Sequence, residues 1–534
     1  MIRISNIKLP LDAEGDAPLR EALKKIRADR SQVKAWRVSK KSVDARDKGD
    51  VHFVFSVDVS LPQEDSFLRA VKPGVVSKVP SMPALPEIHG EYKGLRPVVA
   101  GFGPGGLFAA LTLARAGLRP IVLERGERVD RREKTTARFA QTGELNPESN
   151  VQFGEGGAGA FSDGKLTTGI KDRRCQTVLK ELFDHGAPEE ILYLARPHIG
   201  TDKLPQVVAA IREEIISLGG DVRFSSKLTG IAQRAGQVAA VEYKDGEGTK
   251  KISTDSLVIA IGHSAADTQQ MLFSAGVRMM QKPFSVGARI EHPQRLINES
   301  QYGKFARHPA LGAAEYHLSA RLPDGRGAYS FCMCPGGTVV PAASRLGGVC
   351  VNGMSRFARD GENANAALLV DVRTEDFGDD HPLAGYALQR AWEERAFRAG
   401  GGGYRAPVQL AGDLLAGRAT KELGSVRPTY LPGVACADFR AILPDFAFQG
   451  LQGALRAFDR QLKGFALPDA VLTAVESRSS CPVRLTRDSR CESSIGGLYP
   501  CGEGAGYAGG IMSAAVDGIR VAEAILQNKG LWEE

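Results

Sequence analysis

The string VVAGFGPGGLFAALTLARAGLRPIVLERG sets Gly101, Gly103 and Gly106 at G-x-G-x-x-G spacing, with Glu124 23 residues after the first glycine. That combination predicts chemistry on a dinucleotide. A glycine at 101 permits the tight turn, one at 103 admits a pyrophosphate against the backbone, and one at 106 lets helix and strand pack closely. Pro104 and Gly105 lie in the same turn, where a helix N-terminus offers free N–H groups and partial positive charge to phosphates. Glu124 is placed to accept hydrogen bonds from an adenosine ribose. The pattern recurs at Gly154–Gly159 and Gly504–Gly509. Neither recurrence is followed by a strand ending in an acid at the proper distance, so one complete dinucleotide fold is expected.

A strand must enter such a turn and a helix must leave it. Pro97–Ala100 reads as the strand, the helix runs through Gly117, and Leu118–Glu124 is the second strand. Leu204–Leu218 reads as a helix, Val222–Phe224 and Gln237–Tyr243 as strands, and Asp255–Ile261 as a buried strand ending at Gly262. From 276 to 480 short strands dominate, with helical spacing near 383–399 and 448–465. Leu498–Cys501 and Ile511–Gln527 read as a last strand and a last helix. Residues 1–62 read as a small α+β unit, with strands at Ile2–Leu9, Gln32–Val43 and Val51–Leu61 and a helix at Pro18–Asp29. The Pro-rich residues 63–95 read as a linker or strap.

Composition narrows the class. With 43% hydrophobic and 25% charged residues, the chain is of ordinary globular make-up, not disordered, collagen-like or a disulfide scaffold. Its 61 glycines in 534 residues exceed the usual share, as expected where backbone lies against a ligand. Net charge is +7, and residues 1–96 hold 18 Lys+Arg against 13 Asp+Glu, so most of the excess sits there. Eight cysteines without zinc spacing predict reduced thiols, a reducing compartment and no metal site. MIRISNIKLP places charges and a proline where a signal peptide has its apolar core. Pro97–Ala114 is uncharged over 18 residues, but Pro104 and four glycines argue against a membrane span. A cytoplasmic protein with no membrane partner is expected.

Several longer strings carry a resemblance: GFGPGG with ERG, VQFGEGGAGAFSDGKLTTG (151–169), RPHIGTD (196–202), SLVIAIGHSAADT (256–268), YSFCMCPGG (329–337), NGMS (352–355) and LYPCGEGAGYAGGIMSAAVDGIRVA (498–522). Over about 95–527 the chain resembles the two-domain flavoproteins related to glutathione reductase. Within them it is similar to the bacterial FAD-dependent dehydrogenases of unknown substrate. The resemblance implies noncovalent FAD. It implies contacts at Gly101, Gly103, Pro104, Gly105, Gly106, Glu124 and Arg125. It sets Ser162, Asp163, Lys165 and Leu166 by the pyrophosphate and isoalloxazine, Leu228 by the adenine, and Ala260 and Gly262 at a strand end. It gives Gly502 and Glu503 to the ribityl or phosphate end, and Gly509, Gly510, Ile511 and Met512 to the flavin. One departure is Ala266, where the family usually carries Arg, which puts any substrate role of that position in doubt.

Catalytic candidates are fewer. His198 suits proton shuttling beside a flavin, or a structural bond at a helix entry. Cys332 and Cys334 form C-x-C, which alternation would put on one strand face; the spacing suits such a face better than an unstrained redox disulfide. Arg478 suits an anionic substrate, or a brace for Glu476. Arg37, Lys40, Lys41 and Arg46 read as a basic patch or a solvated face.

The expected fold class is therefore α/β. A Rossmann-like three-layer FAD-binding domain (96–275 with 481–534) carries an inserted α+β substrate domain (276–480), with the α+β module at the N-terminus. The expected function is a FAD-dependent oxidoreductase passing hydride between an organic substrate and FAD, with NAD(P)H as a transient reductant left open. Two alternatives stand beside it: an RNA-associated flavoenzyme using the basic module, and a non-catalytic flavin carrier.

Overall fold

Five short parallel strands bring the chemistry together. In spatial order they are Leu498–Pro500, Leu257–Ile259, Val98–Ala100, Ile121–Leu123 and Asp221–Arg223. The central three read VVA, IVL and LVI and are fully buried, as expected of parallel strands covered on both faces. A computed structural model describes residues 1–70, 74–81, 86 and 92–532.

Helix Pro104–Arg115 leaves the first turn and packs along Ile511–Asn528. Their backbones approach closely: a Cβ on Gly518 would stand 2.1 Å from the Gly105 carbonyl oxygen. This contact ties two segments 400 residues apart in the chain into one wall. Leu204–Ser217 packs on the same helix, and an antiparallel meander, Lys227–Arg234, Gln237–Asp245 and Gly248–Ser253, stands beside the parallel sheet.

The chain then passes through Met279–Gln281, which pairs with Val483–Leu485 where it returns. Between them lies a seven-stranded sheet in the order Ser319–Arg321, Gly327–Cys334, Asn363–Val372, Phe284–Pro293, Val471–Glu476, Ala406–Leu410, Val434–Cys436. Helices Asp445–Gln461 and Ala384–Ala399 cover it. Their apolar faces and the strands form one buried cluster that includes Val286, Leu368, Leu451 and Phe458. Helices Val129–Thr142 and Arg174–Asp184 were not anticipated from the periodicity.

The N-terminal sheet runs Ala35–Asp44, His52–Ser60, Ile2–Leu9, Val76–Lys78, with helix Ala17–Ile26 packed on it. Its last strand corrects the boundary expected at 62. Glu64–Ala70 is a helix and Val76–Lys78 pairs with Ile2–Leu9, so part of the expected strap belongs to the module. Residues 71–73, 82–85 and 87–91 of that strap lie outside the described residues. Among the described residues, no helix is long and apolar enough to cross a membrane.

Candidate cofactor and substrate cleft

One cleft of about 770 Å³ joins the first turn to the last helix. Its floor takes in Gly101, Gly103, Pro104 and Gly105, and it runs past Gly262 to Gly502, Glu503, Gly509, Gly510 and Ile511. Of the residues implied by resemblance, Glu124, Arg125, Ser162, Lys165, Leu228 and Ala260 also line it. Gly106, Asp163, Leu166 and Met512 do not. Leu166 and Met512 are core residues of the parallel-sheet unit. Asp163 is fully buried and held by Arg359 at 2.5 and 3.1 Å, so it anchors the 162–166 loop from behind.

The three glycines of the first turn do different work. A Cβ on Gly101, which has φ +97, would meet the Ala260 carbonyl oxygen at 2.3 Å; on Gly106 it would meet the Gly101 carbonyl oxygen at 2.0 Å. Both are required by the protein's own packing. At Gly103 the nearest atom, the Gly157 Cα, is 3.6 Å away. The protein alone leaves room there, so the space serves a ligand. Helix Pro104–Arg115 begins at Gly103 without a capping side chain, leaving its N–H groups to the cleft.

Glu124 lines the cleft and also has a structural role. Its carboxylate accepts N–H bonds from Phe102 at 2.8 Å and from Gly126 and Gly154 at 2.9 Å. It thereby clamps three loops together at the cleft wall. The loop around Gly154, ranked a chance match by spacing, is thus a second wall, with Gln152, Phe153 and Gly157 in the lining. It is braced by Arg132, which is fully buried and donates to the Asn150, Val151 and Glu155 carbonyls, and by the Arg212–Glu155 pair at 2.6 Å. Neither arginine had a sequence signal. At the far wall Asp517 accepts from the Gly502 N–H at 2.8 Å and pairs with Arg487 at 2.6 Å, holding the turn that presents Glu503. Burial pushes the Glu503 carboxyl up to about 7 and His263, 3.7 Å from it, down to about 4.

Near Leu228 Arg125 lies over the Phe153 ring at 3.9 Å and pairs with Asp267 at 2.9 Å; Lys227 joins Asp267 at 2.5 Å. The two cations hold the Asp267 carboxyl well below the usual carboxylate range against the cost of its burial. Ala266 opens helix Ala266–Ser274 and packs against the neighbouring apolar cluster.

The catalytic candidates separate. His198 lies behind the wall: its Nε2 meets the Phe357 carbonyl at 3.0 Å, its ring stacks on Phe357, and its buried Nδ1 has no hydrogen-bond partner among the described residues. Arg478 reaches the cleft, but Glu393 holds its guanidinium by two bonds of 2.7 Å. Its charge is met inside the protein, and the carboxylate that it braces is not Glu476. Glu476 pairs instead with Arg289 at 2.6 Å. The cysteines do not share a strand face. The register slips between Phe331 and Cys334, Cys332 takes φ +41, and only Cys332 lines the cleft. The Cys332 thiol is pulled down by its coupling to Cys334 and by the charges of Arg289 and Lys165, while Cys334 is pushed up. Cleft residues that sequence reasoning missed include His263, Glu315, His317 and Glu476, which come from turns and strands without local motifs.

The basic patch of the N-terminal module is dispersed. Arg37 pairs with Asp58 at 3.2 Å, Arg46 with Asp44 at 2.6 Å, and Lys41 lies 4.2 Å over the Phe53 ring.

Comparison with known proteins bears on this arrangement. Residues 283–479 match the family described as FAD-dependent protein, C-terminal domain-like, and residues 1–60 match a domain family of unknown function. An uncharacterized protein of Clostridium beijerinckii is 49% identical over 530 residues, 98% of each chain. Among solved structures, the glycerol-3-phosphate dehydrogenase from Bacillus halodurans complexed with FAD is 12% identical at a TM-score of 0.37, over 83% of this chain and 66% of that one. The flavin-dependent brominase Bmp2 is 12% identical at a TM-score of 0.40, over 83% and 81%.

Proposed function

The chain belongs to one family with the uncharacterized Clostridium beijerinckii protein, and from that premise we propose that it is a FAD-dependent oxidoreductase passing hydride between an organic substrate and noncovalent FAD. FAD is the cofactor: the 283–479 match is to FAD-dependent proteins. The cleft fits it. The observation that carries the reading is the space left at Gly103, facing uncapped helix N–H groups, in a cleft that continues to a second uncapped helix start at Gly510. A pyrophosphate at the first and an anionic ring edge at the second are the groups such termini favour.

Bound FAD supplies a two-electron acceptor. The protein's part is to hold and exclude. Gly103 and the Pro104–Arg115 N-terminus would take the pyrophosphate, Leu228 and the Arg125–Phe153 pair would hold the adenine, Glu503 would serve the ribityl chain and the Gly509–Ile511 turn the ring, while Phe331, Cys332 and Glu476 of the seven-stranded sheet line the far side. We assign the parallel sheet to the FAD-binding domain and the seven-stranded sheet to the substrate domain, with NAD(P)H left as a visitor to the same cleft. Against the RNA-associated alternative, Arg37 and Arg46 face acids of their own module and Lys41 lies over the Phe53 ring.

The test is acid release and identification of the flavin, followed by anaerobic titration against NADH, NADPH and a metabolite panel. Released FAD and bleaching of its band by at least one organic donor are expected. Released FMN, or a colourless protein that FAD does not reconstitute, would overturn the reading.

A further inference from the structure

A second chamber of about 420 Å³ adjoins the cleft and shares Thr167, Thr168, Gly169, Gly509 and Gly510 with it as a common wall. Lys282, Tyr507 and Met512 are among the residues that complete it. Resting on the reading above, which sets the flavin against Gly509–Ile511, we propose that this chamber is a binding site for a small organic carboxylate beside the flavin turn and that Lys282 holds its charge.

The argument starts from which charges are already met. Each lysine or arginine of the cleft has a carboxylate. Arg125 lies 2.9 Å from Asp267, Lys165 3.5 Å from Asp163, Arg196 3.2 Å from Glu315, Lys227 2.5 Å from Asp267, and Arg478 2.7 Å from Glu393. Lys282 differs. Its Nζ has one long hydrogen bond, to Ser480 Oγ at 3.4 Å, and among the described residues no carboxylate forms an ion pair with it. The residue is half-buried, and burial lowers its pKa. Of its charged neighbours, Cys481 and Glu503 favour the ammonium and Arg484 opposes it, and Glu503 is itself held toward its neutral form. A partly desolvated ammonium without a counter-ion is costly unless an anion arrives from outside.

The lining sets the class of that anion. One ammonium matches a single negative charge; a phosphate dianion would keep an unmet charge in a half-enclosed space. The N-terminus of Ile511–Asn528 adds partial positive charge at the same wall. Ser513 is not free to help, since its hydroxyl accepts from the Gly509 N–H and donates to the Gly510 carbonyl. Tyr507 and the exposed Ile170 offer apolar surface to the rest of the molecule. The ligand is thus a small organic monocarboxylate with an apolar body, held against the turn that covers the flavin ring.

Benzoate, its neutral isostere benzamide, and inorganic phosphate test this on the FAD-loaded protein. Heat of binding and displacement of the flavin absorption band are both read. Benzoate should bind and move the band, with benzamide and phosphate at least tenfold weaker. Lys282→Met should weaken benzoate at least tenfold and leave benzamide unchanged, while Lys282→Arg keeps most of the benzoate affinity. Equal binding of benzoate and benzamide, tighter binding of phosphate, unchanged benzoate affinity in Lys282→Met, or no benzoate heat at all would each overturn the proposal. If Lys282→Met does not fold, the comparison of benzoate, benzamide and phosphate on the native chain decides alone. A protein without FAD would sink the parent reading, and the calorimetry would still judge the chamber.

Discussion

Gly103 and Gly106 sit three residues apart in one turn and should fail in opposite ways. A side chain at 106 strikes backbone, at 2.0 Å for its first carbon, so Gly106→Val should not fold. A side chain at 103 meets no atom closer than the Gly157 Cα at 3.6 Å and fills the space proposed for the pyrophosphate. Gly103→Val should therefore give a folded, colourless protein. Its melting temperature should match that of wild-type protein stripped of FAD, without the roughly 2.7 kcal/mol that a ligand at a hundredfold excess over Kd adds to the native state. Full flavin content in Gly103→Val would remove the assignment. Gly156, at φ +81 with a would-be Cβ 3.1 Å from the Ala160 side chain, is no spare match either, and Gly156→Ala should cost stability as well as binding. Glu503 makes a separate prediction from charge. Its carboxyl is raised to about 7 in the folded protein, above its unfolded value, so the native state holds a proton that the unfolded chain gives up. Stability should fall as pH rises from about 4.5 to 7 at up to about 1.4 kcal/mol per unit, less what the open cleft returns to solvent. Glu503→Gln lacks this loss. The gap between the melting temperatures of variant and wild-type apoprotein should widen, in the variant's favour, from pH 5 to pH 8. A gap independent of pH would mean that Glu503 is solvated.

The strand Gly327–Cys334 shows how an element, rather than a residue, sets reactivity. Its register slip turns Cys332 toward the cleft and Cys334 away, with the Cys334 thiol 3.2 Å from the Cys332 carbonyl. Bulges re-aim side chains in this way. Iodoacetamide at pH 6 should alkylate Cys332 first, because the charges of Arg289 and Lys165 favour its thiolate, while burial holds Cys436 and Cys175 toward the thiol. Cys332→Ser should abolish the fast phase. A fast phase that survives Cys332→Ser belongs to another thiol. This strand also marks where sequence reading stops. The run from Val98 to Glu124 was legible because everything it needs is local: an apolar strand, glycines at fixed offsets and an acid one crossover later. The last strand and helix were legible for the same reason. The bulge was not, since it depends on the partner strand Asn363–Val372. The partner of Arg478 was not, because Glu393 lies 85 residues away on a helix. The clamp made by Glu124 was hidden too: its ligands are backbone amides, which every sequence possesses.

At the scale of the whole molecule, the N-terminal module is more than an appendage. The Lys41 N–H donates to the Tyr193 carbonyl at 2.7 Å, and the Ala195 N–H returns to the Lys41 carbonyl at 2.9 Å, a strand-like pairing across domains. Two residues on, the Pro197 carbonyl accepts from the Leu166 N–H at 2.9 Å, and His198 bridges to Lys165, which lines the cleft. On the other side Phe305 and Leu311 pack against the module's apolar core, and His308 reaches Asp12 at 3.0 Å. The module thus backs the wall that carries Lys165, yet it supplies none of the cleft lining, all of which lies from Ala100 onward. The two facts pull a truncation in different directions. Removing residues 1–94 exposes Phe305 and Leu311 and frees the 193–195 segment, which should lower the melting temperature by several degrees and reduce solubility. Among the described residues it removes none that lines the cleft, so the truncated protein should still be yellow. FAD should dissociate faster than from the full chain, because the 162–166 loop has lost its backing, and flavin reduction by small donors should persist. Flavin content, FAD dissociation rate and anaerobic reduction of the two proteins side by side check this. A truncated protein that is soluble but flavin-free would make the module part of the cofactor site. One that holds FAD as tightly as the full chain would mean that the pairing at Lys41 transmits nothing to Lys165.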